Sequence, residues 1–116
     1  MQAENGVGSA TEPIHLDSET DLETLVGEHD VVLVDFYADW CGPCRMLEPI
    51  LDGIATNTAA TVLKVDVDRH QSLAASYGVR GVPTLLLFAD GEPVDRMVGV
   101  QSQEQLEAAI ESHSPR

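Results

Sequence analysis

Lysine is nearly missing from this 116-residue chain. Lys64 is the only one, and with five arginines it faces 20 acidic residues, a formal net charge of −14. A surface so poor in positive charge repels phosphate backbones and anionic headgroups, which excludes nucleic acid and membrane surfaces as direct partners. Long apolar runs are missing as well: residues 31–34 and 85–89 are strand-length, far below the ~18 residues of a membrane span. Residues 1–12 are polar and carry neither a basic stretch nor an apolar one. They are expected to form a flexible N-terminal tail and not a signal peptide, with residues 13–116 as one domain and a cytoplasmic location. No glycine-rich phosphate loop is present, so no bound nucleotide or flavin is expected. No repeat or low-complexity block divides the chain.

Cysteine is scarce too, with two in the whole sequence. A zinc site needs about four ligands, and one cysteine pair supplies two. The histidines, His15, His29, His70 and His113, show no ligand spacing relative to the pair and are expected at the surface. Neither a metal nor another cofactor is expected.

What is present is concentrated in the run Trp40-Cys41-Gly42-Pro43-Cys44, at a predicted strand-to-helix junction. A helix rises about 1.5 Å per residue on a Cα radius near 2.3 Å, which sets positions i and i+3 roughly 5 Å apart. That lies inside the window of about 4.4–6.8 Å that a disulfide requires. The pair can therefore open and close without unfolding anything. In a reducing compartment a lone pair is more often catalytic than structural.

Hydrophobic periodicity supplies the frame. Residues 14–16 form a short strand, and Ser18-Glu19-Thr20-Asp21 caps a helix with Leu22, Leu25 and Val26 on one face. Residues 31–38 are apolar on both sides except for Asp35, the pattern of a strand buried within a sheet. A helix from Pro43 runs through Leu47, Ile50, Leu51 and Ile54, with Pro49 expected to kink it. Its Met46 and Leu47 belong to core or rim. Residues 61–67 form a strand, and Asp68 caps a helix over 69–77 that Gly78 stops. Residues 84–89 and 94–98 form a hairpin about Asp90-Gly91, and Ser102 with Gln105 caps a last helix through Leu106, Ala109 and Ile110. The order βαβαβαββα implies an α/β domain with a mixed sheet and helices on both faces.

Taken in order, these residues resemble the thioredoxin family. The likeness is carried by Val34-Asp35-Phe36 leading into the cysteine motif, then Pro49 and Lys64. It continues through Gly81-Val82-Pro83-Thr84, Phe88, Asp90-Gly91 and Gly99, and spans residues 14–111. It implies a five-stranded mixed sheet of order 1-3-2-4-5 flanked by four helices. It also implies a monomeric protein-disulfide reductase and dithiol electron carrier. Such a carrier acts on disulfide-containing proteins and is recycled by a thioredoxin reductase or an equivalent donor, with the Cys41–Cys44 disulfide as its only redox group. Tyr37 stands where many members carry a second tryptophan, and Arg45 where lysine is common.

The resemblance assigns roles that the residue chemistry supports. Cys41 is the nucleophile, exposed at a helix N-terminus whose N–H groups and dipole favour a thiolate, an effect of which thioredoxins are themselves a standard example. Cys44 is the resolving thiol. Asp35, a carboxyl in an apolar strand, is the general base for Cys44, and Lys64 modulates it. Pro83 matches the family's cis-proline, and the Val82 backbone is free to pair with an extended substrate segment. Trp40, Gly42, Pro43, Val82 and Gly99 form a flat apolar patch around Cys41. The Gly42-Pro43 pair resembles reducing members. An oxidase or isomerase, or a non-catalytic binding subunit of the same fold, is the alternative. The charge of −14 adds one further expectation, a host with a salty cytoplasm, since molar salt shortens the Debye length to about 3 Å.

Overall fold

The computed structural model describes residues 11–19 and 21–114. The expected tail thus falls almost wholly outside the described residues, as does Thr20 of the first helix start. The elements are β1 (Ile14–His15), α1 (Asp21–Glu28), β2 (Val31–Tyr37), α2 (Gly42–Asn57), β3 (Thr61–Asp66), α3 (Gln71–Ser76), β4 (Thr84–Ala89), β5 (Glu92–Val98) and α4 (Gln103–His113). They follow the βαβαβαββα order of the sequence pattern. The strands form one sheet in the order β1-β3-β2-β4-β5. β1 and β2 run parallel to β3, whereas β4 is antiparallel to both β2 and β5, so the sheet is mixed.

Side chains alternate along a strand, and the central β2 therefore serves two cores. Val31 and Leu33 pack with Leu85 and Leu87 beneath Leu47, Leu51 and Ile54 of α2 and Leu106 and Ile110 of α4. Val32, Val34 and Phe36 join Leu63, Val65, Leu86 and Phe88 beneath Leu22 and Val26 of α1 and Ala74 of α3. Asp35 interrupts the first series only. Its parity places it on the α2 side of the sheet.

Most punctuation is as the sequence predicts. Pro43 lies in the first turn of α2, and the helix continues past Pro49, whose missing N–H removes one ladder bond. Asp90 and Gly91 both have positive φ, 53° and 82°, the left-handed pair that a tight hairpin turn requires. Ser102 and Gln105 close a full capping box at α4.

Two expectations are corrected. α3 is shorter than residues 69–77, and its N-cap position is His70, with no side-chain cap bond. The Asp68 carboxylate accepts from the Trp40 indole at 3.0 Å instead of capping the helix. His70 is not a surface residue: it is 5% exposed, with Nε2 3.2 Å from the Leu16 carbonyl, because the turn before α3 folds it inward over the end of β1. Among the described residues no helix is long and apolar enough to cross a membrane.

Candidate active site

The dithiol sits where β2 ends and α2 begins. Cys41 is the N-cap residue of α2, with extended φ of −92° and ψ of 111°. Its Sγ accepts a hydrogen bond from the Cys44 N–H at 3.1 Å. Sulfur thus fills the capping role that a serine or aspartate oxygen usually takes. The same unpaired N–H groups and the positive end of the helix dipole favour a thiolate in the reduced form. Cys41 and Cys44 are joined as a disulfide with Cα atoms 5.2 Å apart, inside the window that the sequence spacing predicts.

The exposed position expected for Cys41 is corrected. The residue keeps 4% of its surface, because its Sγ turns toward the Cys44 N–H and lies 3.7 Å from the Val82 carbonyl oxygen. Ala38 and both cysteines form a small core with Tyr37, Val67 and Val82. Exposure belongs to the neighbours: Trp40 is 69% exposed, and Gly42 and Pro43 are exposed beside it. The Trp40 indole is fixed by its bond to Asp68.

The Val82–Pro83 peptide is cis. The loop is held at both ends, by the Thr84 hydroxyl donating to the Gly81 carbonyl at 2.7 Å and by the Gly99 N–H donating to the Pro83 carbonyl at 2.9 Å. Gly99 adopts φ of +91°, a region that disfavours any side chain, and this conformation brings its N–H to Pro83. The members of the expected patch thus come from the start of α2 (Gly42, Pro43) and from the segments flanking it (Trp40, Val82 beside Pro83, and Gly99), at the dithiol end of the sheet. Met46 is exposed and Leu47 is core.

Asp35 is completely buried, and neither of its carboxylate oxygens has a hydrogen-bond partner. Burial raises its pKa from 3.8 to about 6, with the Lys64 charge pulling the other way. Asp35 and Lys64 are direct partners across β2 and β3, and the Lys64 Nζ lies 3.7 Å from Asp35 Oδ2. The expected pairing is present.

Sequence reasoning missed three features. Glu48 Oε2 also approaches the Lys64 Nζ, at 3.8 Å. The Tyr37 ring lies beneath that ammonium, 4.5 Å from Nζ to centroid, and burial with nearby Asp66 pushes its phenol upward from the ordinary range. A groove beside Cys41 is lined by Trp40, Val67, Val79, Arg80, Gly81 and Val82. Only Glu48 left a signal, its i+4 spacing from Cys44. Among the described residues no group of three or more His, Cys, Asp or Glu side chains is placed to hold a metal.

The thioredoxin family model matches residues 13–112. A thioredoxin of Staphylococcus epidermidis is 45% identical over 98 residues, 83% of this chain and 93% of that protein. Among solved structures, a mutant thioredoxin from Halobacterium salinarum is 52% identical, covers 96% of this chain and 98% of its own, and superposes with a TM-score of 0.90. A chain solved for the thiol resolving mechanism of yeast mitochondrial 1-Cys peroxiredoxin via glutathione/thioredoxin systems is 31% identical, with a TM-score of 0.79 over 90% of this chain and 99% of that one. With the family matched across nearly the whole domain and a Cys-Gly-Pro-Cys disulfide capping its helix, the chain belongs to the thioredoxin family and is a dithiol protein-disulfide oxidoreductase.

Proposed function

We propose that Cys41 is the attacking nucleophile, Cys44 the resolving thiol and Asp35 the base that serves it. The observation that carries the assignment is the N-cap position of Cys41, which gives its sulfur, and not that of Cys44, the full field of the helix end. The Cys41 thiolate attacks one sulfur of a substrate disulfide; a new S–S bond forms, and the other substrate sulfur leaves as a thiolate. Cys44 then passes its proton to Asp35, and its sulfur attacks Cys41. The mixed disulfide breaks, and the second substrate thiolate departs. Two electrons have moved to the substrate, leaving Cys41–Cys44 oxidised. A separate reductase of the thioredoxin reductase type restores the dithiol.

Substrates are proteins with accessible disulfides, peroxiredoxins among the candidate classes. An extended segment would lie along Val82 and Pro83, with Trp40, Gly42, Pro43 and Gly99 as the surrounding surface, and Lys64 would adjust Asp35. A monomer in a salt-rich cytoplasm fits the charge of −14 and the similarity to the Halobacterium protein. Cys44→Ser, incubated with a disulfide-bearing protein, should accumulate a mixed disulfide visible on a non-reducing gel, and Cys41→Ser should accumulate none. Trapping through Cys44 would reverse the roles. Trapping by neither would return the chain to a binding subunit.

A further inference from the structure

Lys64 is held from three sides, and Asp35 is only one of them. Sheet register makes Lys64 the partner of Asp35 on β2 and of His15 on β1, so its side chain rises on the α2 face. Its Nζ is 3.7 Å from Asp35 Oδ2, 3.8 Å from Glu48 Oε2 and 4.5 Å from the Tyr37 ring centroid. Neither carboxylate is within hydrogen-bond distance. The ammonium is shared almost equally between a fully buried acid and one whose side chain is 55% exposed. Glu48 reaches it because it follows Cys44 by four residues, one turn on along the same face of α2.

We propose that Glu48 is a positioning residue for the dithiol reaction: by competing for Lys64 it keeps the ammonium from closing onto Asp35, and so leaves that carboxylate able to accept the Cys44 proton. The inference rests on the reading of Asp35 as the base. The groups that face Asp35 are few. β3 brings Lys64, α2 brings Glu48 from the helix that also carries Cys44, and β2 itself brings Tyr37. β4 opposes Asp35 with apolar Leu85. Beyond Lys64, His15 of β1 and Asp52 of α2 line an open cleft together with Glu12.

Charge balance gives the direction. With Asp35 and Glu48 ionised around one ammonium, the trio carries one net negative charge, and a proton on Asp35 makes it neutral. With glutamine at position 48 the trio starts neutral, and the same proton leaves it positive inside a low-dielectric core. Protonation of Asp35 is therefore easier with Glu48 in place, in the same direction as the upward push of the Glu48 charge on the Asp35 carboxyl.

The test is the pH dependence of disulfide reduction by the full chain from pH 4.5 to 8, for the wild type, Glu48→Gln, Glu48→Lys and Asp35→Asn. A carbon NMR titration of the Asp35 carboxyl in the first three accompanies it. Position 48 is exposed, so its variants should fold. The acid limb and the NMR midpoint should both move to lower pH in Glu48→Gln and further in Glu48→Lys. At pH 5, Glu48→Gln should keep a share of its own plateau rate roughly two- to five-fold larger than the wild type keeps. If the Glu48 variants superpose on the wild type while Asp35→Asn slows the reaction, the role of Glu48 is overturned and that of Asp35 stands. If Asp35→Asn itself follows the wild type, the reading of Asp35 fails, and this inference falls with it.

Discussion

Burial lifts the Asp35 carboxyl from 3.8 to about 6, against the pull of Lys64, and the lift has a consequence for stability as well as for catalysis. The unfolded chain releases this proton near 3.8 and the folded chain near 6. Between those values the folded state holds more protons, so stability falls as pH rises through the window and stays low above it. At about 1.4 kcal/mol per tenfold change in proton affinity, the loss is on the order of 3 kcal/mol above pH 6. Asp35→Asn should melt like the wild type near pH 4 and several degrees higher at pH 7.5, by at most roughly 12 °C. The buried Lys64, left with Glu48 alone, trims that gain. Parallel thermal melts at the two pH values decide it; a constant gap between the two proteins would mean that Asp35 titrates alike in both states. If Asp35→Asn also slows turnover, as the proposed role as base requires, the carboxyl is held in place for function at a cost to stability.

At the scale of elements, local signals carry what local partners determine. The α4 cap is legible because Ser102 and Gln105 satisfy each other three residues apart, by bonds of 3.1 and 2.9 Å. Ser102→Ala should cost about 1 kcal/mol in urea unfolding. An unchanged midpoint would show that packing of Leu106 and Ile110 alone fixes the helix start. The same reasoning fails at α3, where the Asp68 carboxylate is taken by Trp40, 28 residues away, and the Asp68 N–H bonds to Asp66. A local motif cannot show a distant competitor. The central strands are legible because β2, β3 and β4 are apolar on both faces. The edges are less so: β1 has two residues, and β5 is exposed and opposes β4 across an irregular register between Leu87 and Phe88. Within the site, the dithiol and the Asp35–Lys64 pair follow from motif, alternation and family likeness. The burial of Cys41 and the reach of Glu48 depend on how closely α2 lies over the sheet, which no spacing in the sequence encodes.

Net charge belongs to the whole molecule, and here it is poorly compensated. Among the described residues, the ion pairs within 4 Å both fall on Lys64. Arg45 and Arg96 donate to the backbone carbonyls of Asp39 and Tyr77 and not to carboxylates. Most of the 20 acidic side chains are thus left to repel one another across a small domain, which disfavours the compact state. Raising KCl from 0.1 M to 1 M shortens the Debye length from about 10 Å to about 3 Å, less than the spacing of most surface charges. Relief of even about 2 kcal/mol would raise Tm by roughly 8 °C. The melting temperature should therefore climb steadily through a KCl series at pH 7.5. The same series near pH 4.3, where the net charge vanishes, separates screening from general salt exclusion. Screening requires the gain to shrink there, because positive and negative charges balance and like-charge repulsion no longer dominates. A gain of equal size at both pH values would assign the effect to exclusion of salt from the surface, and a flat series at pH 7.5 would remove salt adaptation as the reason for the acidity.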